Sequence, residues 1–140
     1  MKQYKIVAIC MCILLLLAGG AYAQQKTVRI LAIGNSFSQD AVEQYLHELA
    51  EAEGIPTIIG NMFIGGCSLE RHVKNARDNA PAYAYRKIGT DGKKREKGKM
   101  SLETVLADED WDYVSLQQAS PFSGMYETYE ASLPELIEYV

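Results

Sequence analysis

Three short polar turns carry the residues of this chain best suited to chemistry. Gly34-Asn35-Ser36-Phe37-Ser38, Gly65-Gly66-Cys67-Ser68 and Gln117-Gln118-Ala119-Ser120 each concentrate hydroxyl, amide or unshielded backbone groups. A serine hydroxyl attacks an acyl carbon only when a neighbouring base accepts its proton. The oxyanion formed in that attack needs N–H donors already in place. Ser36 suits the nucleophile's role because it stands between a strand-like run and a helix-like one, where a helix dipole favours developing negative charge. Asn and Ser also favour ordinary turns, so the triplet alone reads equally as a chain reversal. Cys67 is the one cysteine beyond the N-terminal segment; no histidine pairing is visible for it, and it reads as a small buried filler. His47 reads as an exposed neighbour of a core stripe, and His72, with Glu70 and Arg71, as a residue of a cleft rim or of the solvated surface. Neither has a further ligand at metal-binding spacing, so no metal and no other cofactor is expected.

The elements flanking these turns decide whether they can meet. Thr27 to Ile33 is a short apolar run of the kind buried on both faces of a sheet. A helix follows, with Val42, Tyr45, Leu46 and Leu49 as its apolar stripe, Asp40 and Glu43 as a capping box, and Gly54 and Pro56 as its stop. A second strand fits Thr57 to Ile64, and residues 69–80 form a short helix or irregular connection. Tyr83 to Ile88 and Lys93 to Lys97 flank Thr90-Asp91-Gly92, a hairpin signal. Ser101 to Ala107 is a short capped helix, Tyr113 to Gln117 a third strand, and Tyr126 to Val140 an amphipathic segment that Pro134 kinks or divides. Alternating strands and helices specify a parallel α/β sheet. Ligands of such sheets bind beyond the carboxyl ends of the strands. Each of the three turns follows a strand, so all three should gather at one sheet edge.

The first residues are a processing signal. Lys2 and Lys5 precede an apolar stretch from Ile6 to Ala18, and Ala21-Tyr22-Ala23 supplies a small-x-small cleavage pattern. The stretch is shorter than the roughly 17 to 25 residues that span a bilayer. Residues 1–23 are therefore expected to be a cleaved signal peptide, with 24–140 an exported domain, periplasmic or extracellular, that leaves the membrane after cleavage. Removing Lys2 and Lys5 from the fourteen basic residues leaves twelve against eighteen acidic ones. That balance argues against a nucleic-acid partner, which needs surplus Lys and Arg for phosphate. Seven of those twelve fall between Arg86 and Lys99, where a solvated hairpin is favoured over a grip on an acidic ligand. With one thiol no internal disulfide can form, and the domain must fold on its apolar core.

Taken together, the three turns resemble the signature blocks of the SGNH (GDSL-type) hydrolases, in a branch that carries Gly-Asn-Ser in its first block. Strand-Gly34-Asn35-Ser36-Phe37-Ser38-helix resembles the nucleophile block, Asn61 with Gly65-Gly66-Cys67-Ser68 the glycine block, and Trp111 to Ser120 the third block. The resemblance implies a three-layer flavodoxin-like α/β fold with a parallel sheet, of which this chain holds the N-terminal part plus an inserted β-hairpin. It also implies a serine ester hydrolase acting on a small-molecule or glycan ester, including acyl groups on carbohydrate. Ser36 would be the nucleophile, with its own N–H, the Gly66 N–H and the Gln118 amide, or Ser120 in its place, as oxyanion donors. The family's last block, Asp-x-x-His, has no counterpart here: Gln44 and Leu69 stand three positions ahead of the two histidines. The expectation is a domain truncated at its C-terminus and inactive or nearly so by itself, with a ligand-binding pseudo-enzyme as the alternative. A nucleotide-binding domain is disfavoured, because the first turn lacks the glycine patterns that cradle phosphates. Mass spectrometry of the exported protein should find Gln24 as the first residue; an N-terminus retaining Met1 to Ala23 would refute the cleaved signal.

Overall fold

The computed structural model describes residues 25–140, so the signal segment expected over 1–23 lies outside the described residues. At the centre is β1 (Val28–Gly34), whose Leu31 to Gly34 are buried. It pairs in parallel with β2 (Thr57–Phe63) on one side and β5 (Tyr113–Leu116) on the other. β3 (Tyr83–Ile88) and β4 (Lys94–Met100) add an antiparallel hairpin to the free side of β2, giving the order β4-β3-β2-β1-β5. The expected parallel sheet is thus confined to β5, β1 and β2. The hairpin around Thr90-Asp91-Gly92 extends that sheet rather than standing apart, because β2 is rich enough in apolar residues to be covered on both edges.

Helices cover both faces. The chain leaves β1 through α1 (Ser36–Glu43) and α2 (Leu46–Ala52) to reach β2, then returns through α3 (Leu69–Arg77), the hairpin and α4 (Leu102–Leu106) to reach β5 on the other side of β1. Right-handed crossovers that travel in opposite directions lie on opposite faces. On one face Ala32, Ile59 and Ile88 pack against Val42 and Leu46. On the other Leu31, Ile33, Met62, Tyr83 and Tyr85 pack against Ala76, Leu102, Val105 and Trp111. α5 (Tyr126–Glu130) and α6 (Leu133–Tyr139) form an outer layer on α3, where Leu136 meets Leu69 and Val73. This is the three-layer, flavodoxin-like α/β architecture.

Two helical expectations are corrected. The single helix after the first turn is two, broken at Gln44 and Tyr45, and Asn35 rather than Asp40 is its cap. The break resets the helical phase: Ser38 and Val42 of the first helix and His47 of the second are buried, while Tyr45 and Leu49 are exposed. In the last segment the division falls at Ala131 and Ser132, and Pro134 sits in the first turn of α6, where its missing N–H removes no helical bond.

A close approach between the sheet and its covering occurs at Gly60. A Cβ there would lie 2.7 Å from Trp111 Cη2 and 3.0 Å from Leu31 Cδ1, and the indole is pinned by Nε1 donating to the Val105 carbonyl at 2.9 Å. Gly60→Ala should therefore cost about 1–3 kcal/mol through overpacking. Chemical denaturation followed by fluorescence of the single tryptophan measures it, and an unchanged midpoint would show that the ring has room to move.

Candidate functional site

The order of β2, β1 and β5 makes a topological switch. The chain departs from the carboxyl end of β1 toward one neighbour and later arrives at the other, so a crevice opens above β1 and β5. Asn35 sits at its floor, buried, with extended backbone. Its Oδ1 accepts from the Phe37 N–H at 3.2 Å and caps α1. Its Nδ2 donates to the Cys67 carbonyl and to the Gln118 carbonyl, both at 3.2 Å. One carboxamide therefore ties together the turns after β1, β2 and β5, and the gathering expected from the strand order is present.

Ser36 is the first residue of α1 and is exposed, as is Phe37. The N–H groups of Ser36 and Gly66 have no acceptor among the described residues. Gly66 is exposed with φ of 61°, a left-handed conformation that glycine adopts without strain, and open space lies where a Cβ would stand. Gln118 is buried, and its side chain turns away toward the helices. Oε1 accepts from the Leu69 and Ala119 N–H groups at 3.0 and 2.9 Å, and Nε2 donates to Thr128 Oγ1 at 3.0 Å. Gln117, one residue earlier, turns toward α1: its Oε1 accepts from the Ser38 N–H at 2.8 Å, and the residue lines a groove. Gly34 must be glycine for this, since a Cβ there would come within 2.8 Å of Gln117 Oε1 and Ser38 Oγ. Ser120 is exposed on the same groove, which holds about 460 Å³ between Phe37, Leu116, Gln117, Gln118, Ser120, Ser123 and Tyr129. A larger groove of about 700 Å³ runs between α3 and α5 and meets the first at Gln118.

Both histidines are buried, contrary to their expected places. His47 lies at the opposite, amino-terminal end of the sheet, with Nδ1 2.9 Å from Oγ1 of Thr57, the first residue of β2. His72 is wholly enclosed behind the second and third turns, stacked on Tyr83, with Nδ1 2.9 Å from the Tyr83 hydroxyl and 3.5 Å from Cys67 Sγ. Leu69, His72, Val73 and Ala76 fall at the i, i+3, i+4 and i+7 positions of one face of α3, a signal that sequence reasoning missed. Burial raises the Cys67 thiol to about 11, so it stays protonated and unreactive at neutral pH. No group of three or more His, Cys, Asp or Glu side chains able to hold a metal ion occurs among the described residues. No helix among them is long and apolar enough to cross a membrane.

An α/β switch-point site with an exposed serine at a helix start is the class this geometry defines. Residues 29–140 match the family described as "Domain of unknown function (DUF4886)", and the chain belongs to that family. It is similar to the crystal structure, at 1.50 Å resolution, of a DUF4886 family protein from Bacteroides uniformis ATCC 8492. The two share 72% identity with a TM-score of 0.79, over 81% of this chain and 44% of that one. The chain thus spans less than half the length of that relative. No curated protein matches it.

His72 makes the fold acid-sensitive. Its burial, with Arg71 nearby, lowers its pKa from 6.5 to about 4. Between those values the unfolded chain binds a proton that the folded one excludes, so stability is complete above pH 6.5 and falls as pH drops toward 4. The loss reaches about 3 kcal/mol at the lower end. Urea midpoints at pH 7, 5.5 and 4.5 should show it, and His72→Gln should flatten that slope; a slope the substitution leaves intact would belong to other groups.

Proposed function

We propose that this chain carries the nucleophile and oxyanion-binding part of an exported SGNH-type serine ester hydrolase, with Ser36 as nucleophile. The observation that carries the reading is the placement of Ser36: exposed, at the N-terminus of α1, and next in the chain to Asn35, which ties the three turns together. In this reading the substrate carbonyl lies over the first turn, and its oxyanion meets the unpaired N–H groups of Ser36 and Gly66. A third donor comes from the turn after β5. The Gln118 amide serves only if it leaves Thr128, whereas Gln117 and Ser120, which line the same groove, have amide and hydroxyl donors with no such bond among the described residues. The positive end of the α1 dipole adds to the same field.

The general base comes from outside the described residues. His47 is at the wrong end of the sheet, and His72 is neutral, enclosed and bonded to Tyr83. A solved relative more than twice as long as the matched segment leaves ample chain to supply a histidine. Without that base, only the residual catalysis of binding and oxyanion stabilisation remains. The acyl group and the sugar or other alcohol it leaves are assigned by resemblance alone, whereas export rests on the signal pattern of residues 1–23. The natural full-length protein should react with a fluorophosphonate probe at Ser36, and Ser36→Ala should abolish labelling while leaving the melting temperature within a degree or two. Equal labelling of both proteins would remove Ser36 from the role. Absence of labelling in both would favour the ligand-binding alternative.

A further inference from the structure

Beneath α1, on the face of the sheet opposite His72, lies a buried charged cluster that the site chemistry does not use. Strand register creates it. Ala32 pairs with Asn61, Asn61 with Arg86 and Arg86 with Glu96, so these side chains form one row across the sheet. α1 lies over that row and lowers Glu43 onto it. The Glu43 side chain is 3% exposed. Its Oε1 receives Asn61 Nδ2 at 2.5 Å and lies 2.8 Å from Arg86 Nε, and its Oε2 lies 3.3 Å from Lys94 Nζ. The Arg86 guanidinium is itself stacked on the Phe63 ring, 4.7 Å from its centre. At the other end of α1, Ser38 Oγ lies 2.8 Å from the Asn35 carbonyl and 3.1 Å from Asn61 Oδ1.

Asn61 therefore touches α1 at two points, Ser38 near its start and Glu43 at its end. A short helix held at one point can turn about it; held at two, with a charged partner at one, it cannot. We propose that Glu43 is a positioning residue. Anchored by Arg86 and Lys94 of the hairpin, it orients Asn61 and so fixes the rotation of α1 that presents Ser36 to the crevice. The hairpin, on this view, serves the site from a distance as a clamp on the nucleophile helix. The inference rests on the reading of Ser36 as nucleophile.

The test is the kinetics of fluorophosphonate labelling of Ser36 in the natural full-length protein, separating the maximal labelling rate constant, the probe concentration for half-maximal rate and the final labelled fraction. Ser38→Ala removes the link to Asn61 together with the local bond to the Asn35 carbonyl and leaves the Glu43 contacts in place. Glu43→Gln keeps an oxygen for Asn61 but withdraws the charge that holds Arg86 and Lys94. Both should lower the maximal rate constant about ten- to hundredfold, as small misplacements of reacting groups do, with the half-maximal concentration unchanged. A merely structural role would reduce the labelled fraction and leave the rate constant of the folded molecules alone. Should Glu43→Gln fail to fold, Ser38→Ala still decides. A parental rate constant in either variant would overturn the inference while the nucleophile assignment stood. A parent protein that takes up no label would overturn the assignment, and this inference with it.

Discussion

The architecture of the crevice depends on a single buried carboxamide. Three loops that end three different strands have no reason to hold a fixed relation, because each is short, polar and partly solvated. Asn35 supplies the relation by placing a cap for α1 on one end of its side chain and two carbonyls from other loops on the other. The residue is buried, so each of these groups would otherwise be left without a partner in a medium that exacts about 1–3 kcal/mol for it. Aspartate could cap the helix but has no N–H for the carbonyls; leucine could fill the space but do neither. Asparagine is the one side chain of this size that both donates twice and accepts.

Around that point the two faces of the sheet are built differently. The face under α3 and α4 is largely apolar, with Tyr83, Tyr85 and Trp111 as its bulk, and its polar atoms are spent on local bonds such as that of the Tyr85 hydroxyl to Asp108 at 2.7 Å. The face under α1 has a small apolar cluster and a row of polar and charged side chains. An ion pair kept from water is seldom a net gain over apolar packing, but removing one partner is costly. Such a cluster suits geometry better than stability. The exposed β4, charged along its length and bulged near Gly98, ends the sheet on that side in a form that resists edge-to-edge pairing.

Much of this was legible in the residues. Apolar runs located β1, β2 and β5 to within a few residues, Asp91-Gly92 marked β3 and β4 as a hairpin, and the three turns announced themselves by glycine, asparagine and serine. The misreadings share a cause. Hydrophobic periodicity treats polar residues as outward-facing, so His47 and His72 read as surface residues, His72 in spite of its spacing, and the interior places of Asn61 and Glu43 go unmarked until their partners on distant strands are known. Thr57, Tyr83 and Arg86 supply those partners, ten or more positions away. The orientation of Gln118 relative to Gln117 is hidden for a related reason. Alternation shows that they point to opposite sides, but not which side holds the helices, and only the docking of α3 and α5 settles that Gln118 turns to them.

The grooves meeting at Gln118 differ in a way that bears on what the site could take. The larger one is lined by Glu70, Lys74, Arg77, Asp78 and Glu127, whose charges of both signs favour water. The one beside Ser36 has no ionised side chain among its lining residues, only aromatic, aliphatic, amide and hydroxyl groups. A charged carboxylate or phosphate entering it would lose hydration and gain no counter-charge, whereas a neutral acyl group loses little. In the proposed reaction charge appears only at the transition state, on the carbonyl oxygen. The groups nearest that oxygen would be backbone N–H dipoles rather than a lysine or arginine. A site without a resident cation binds the uncharged ground state and its charged successor unequally, and that inequality is what a catalyst requires.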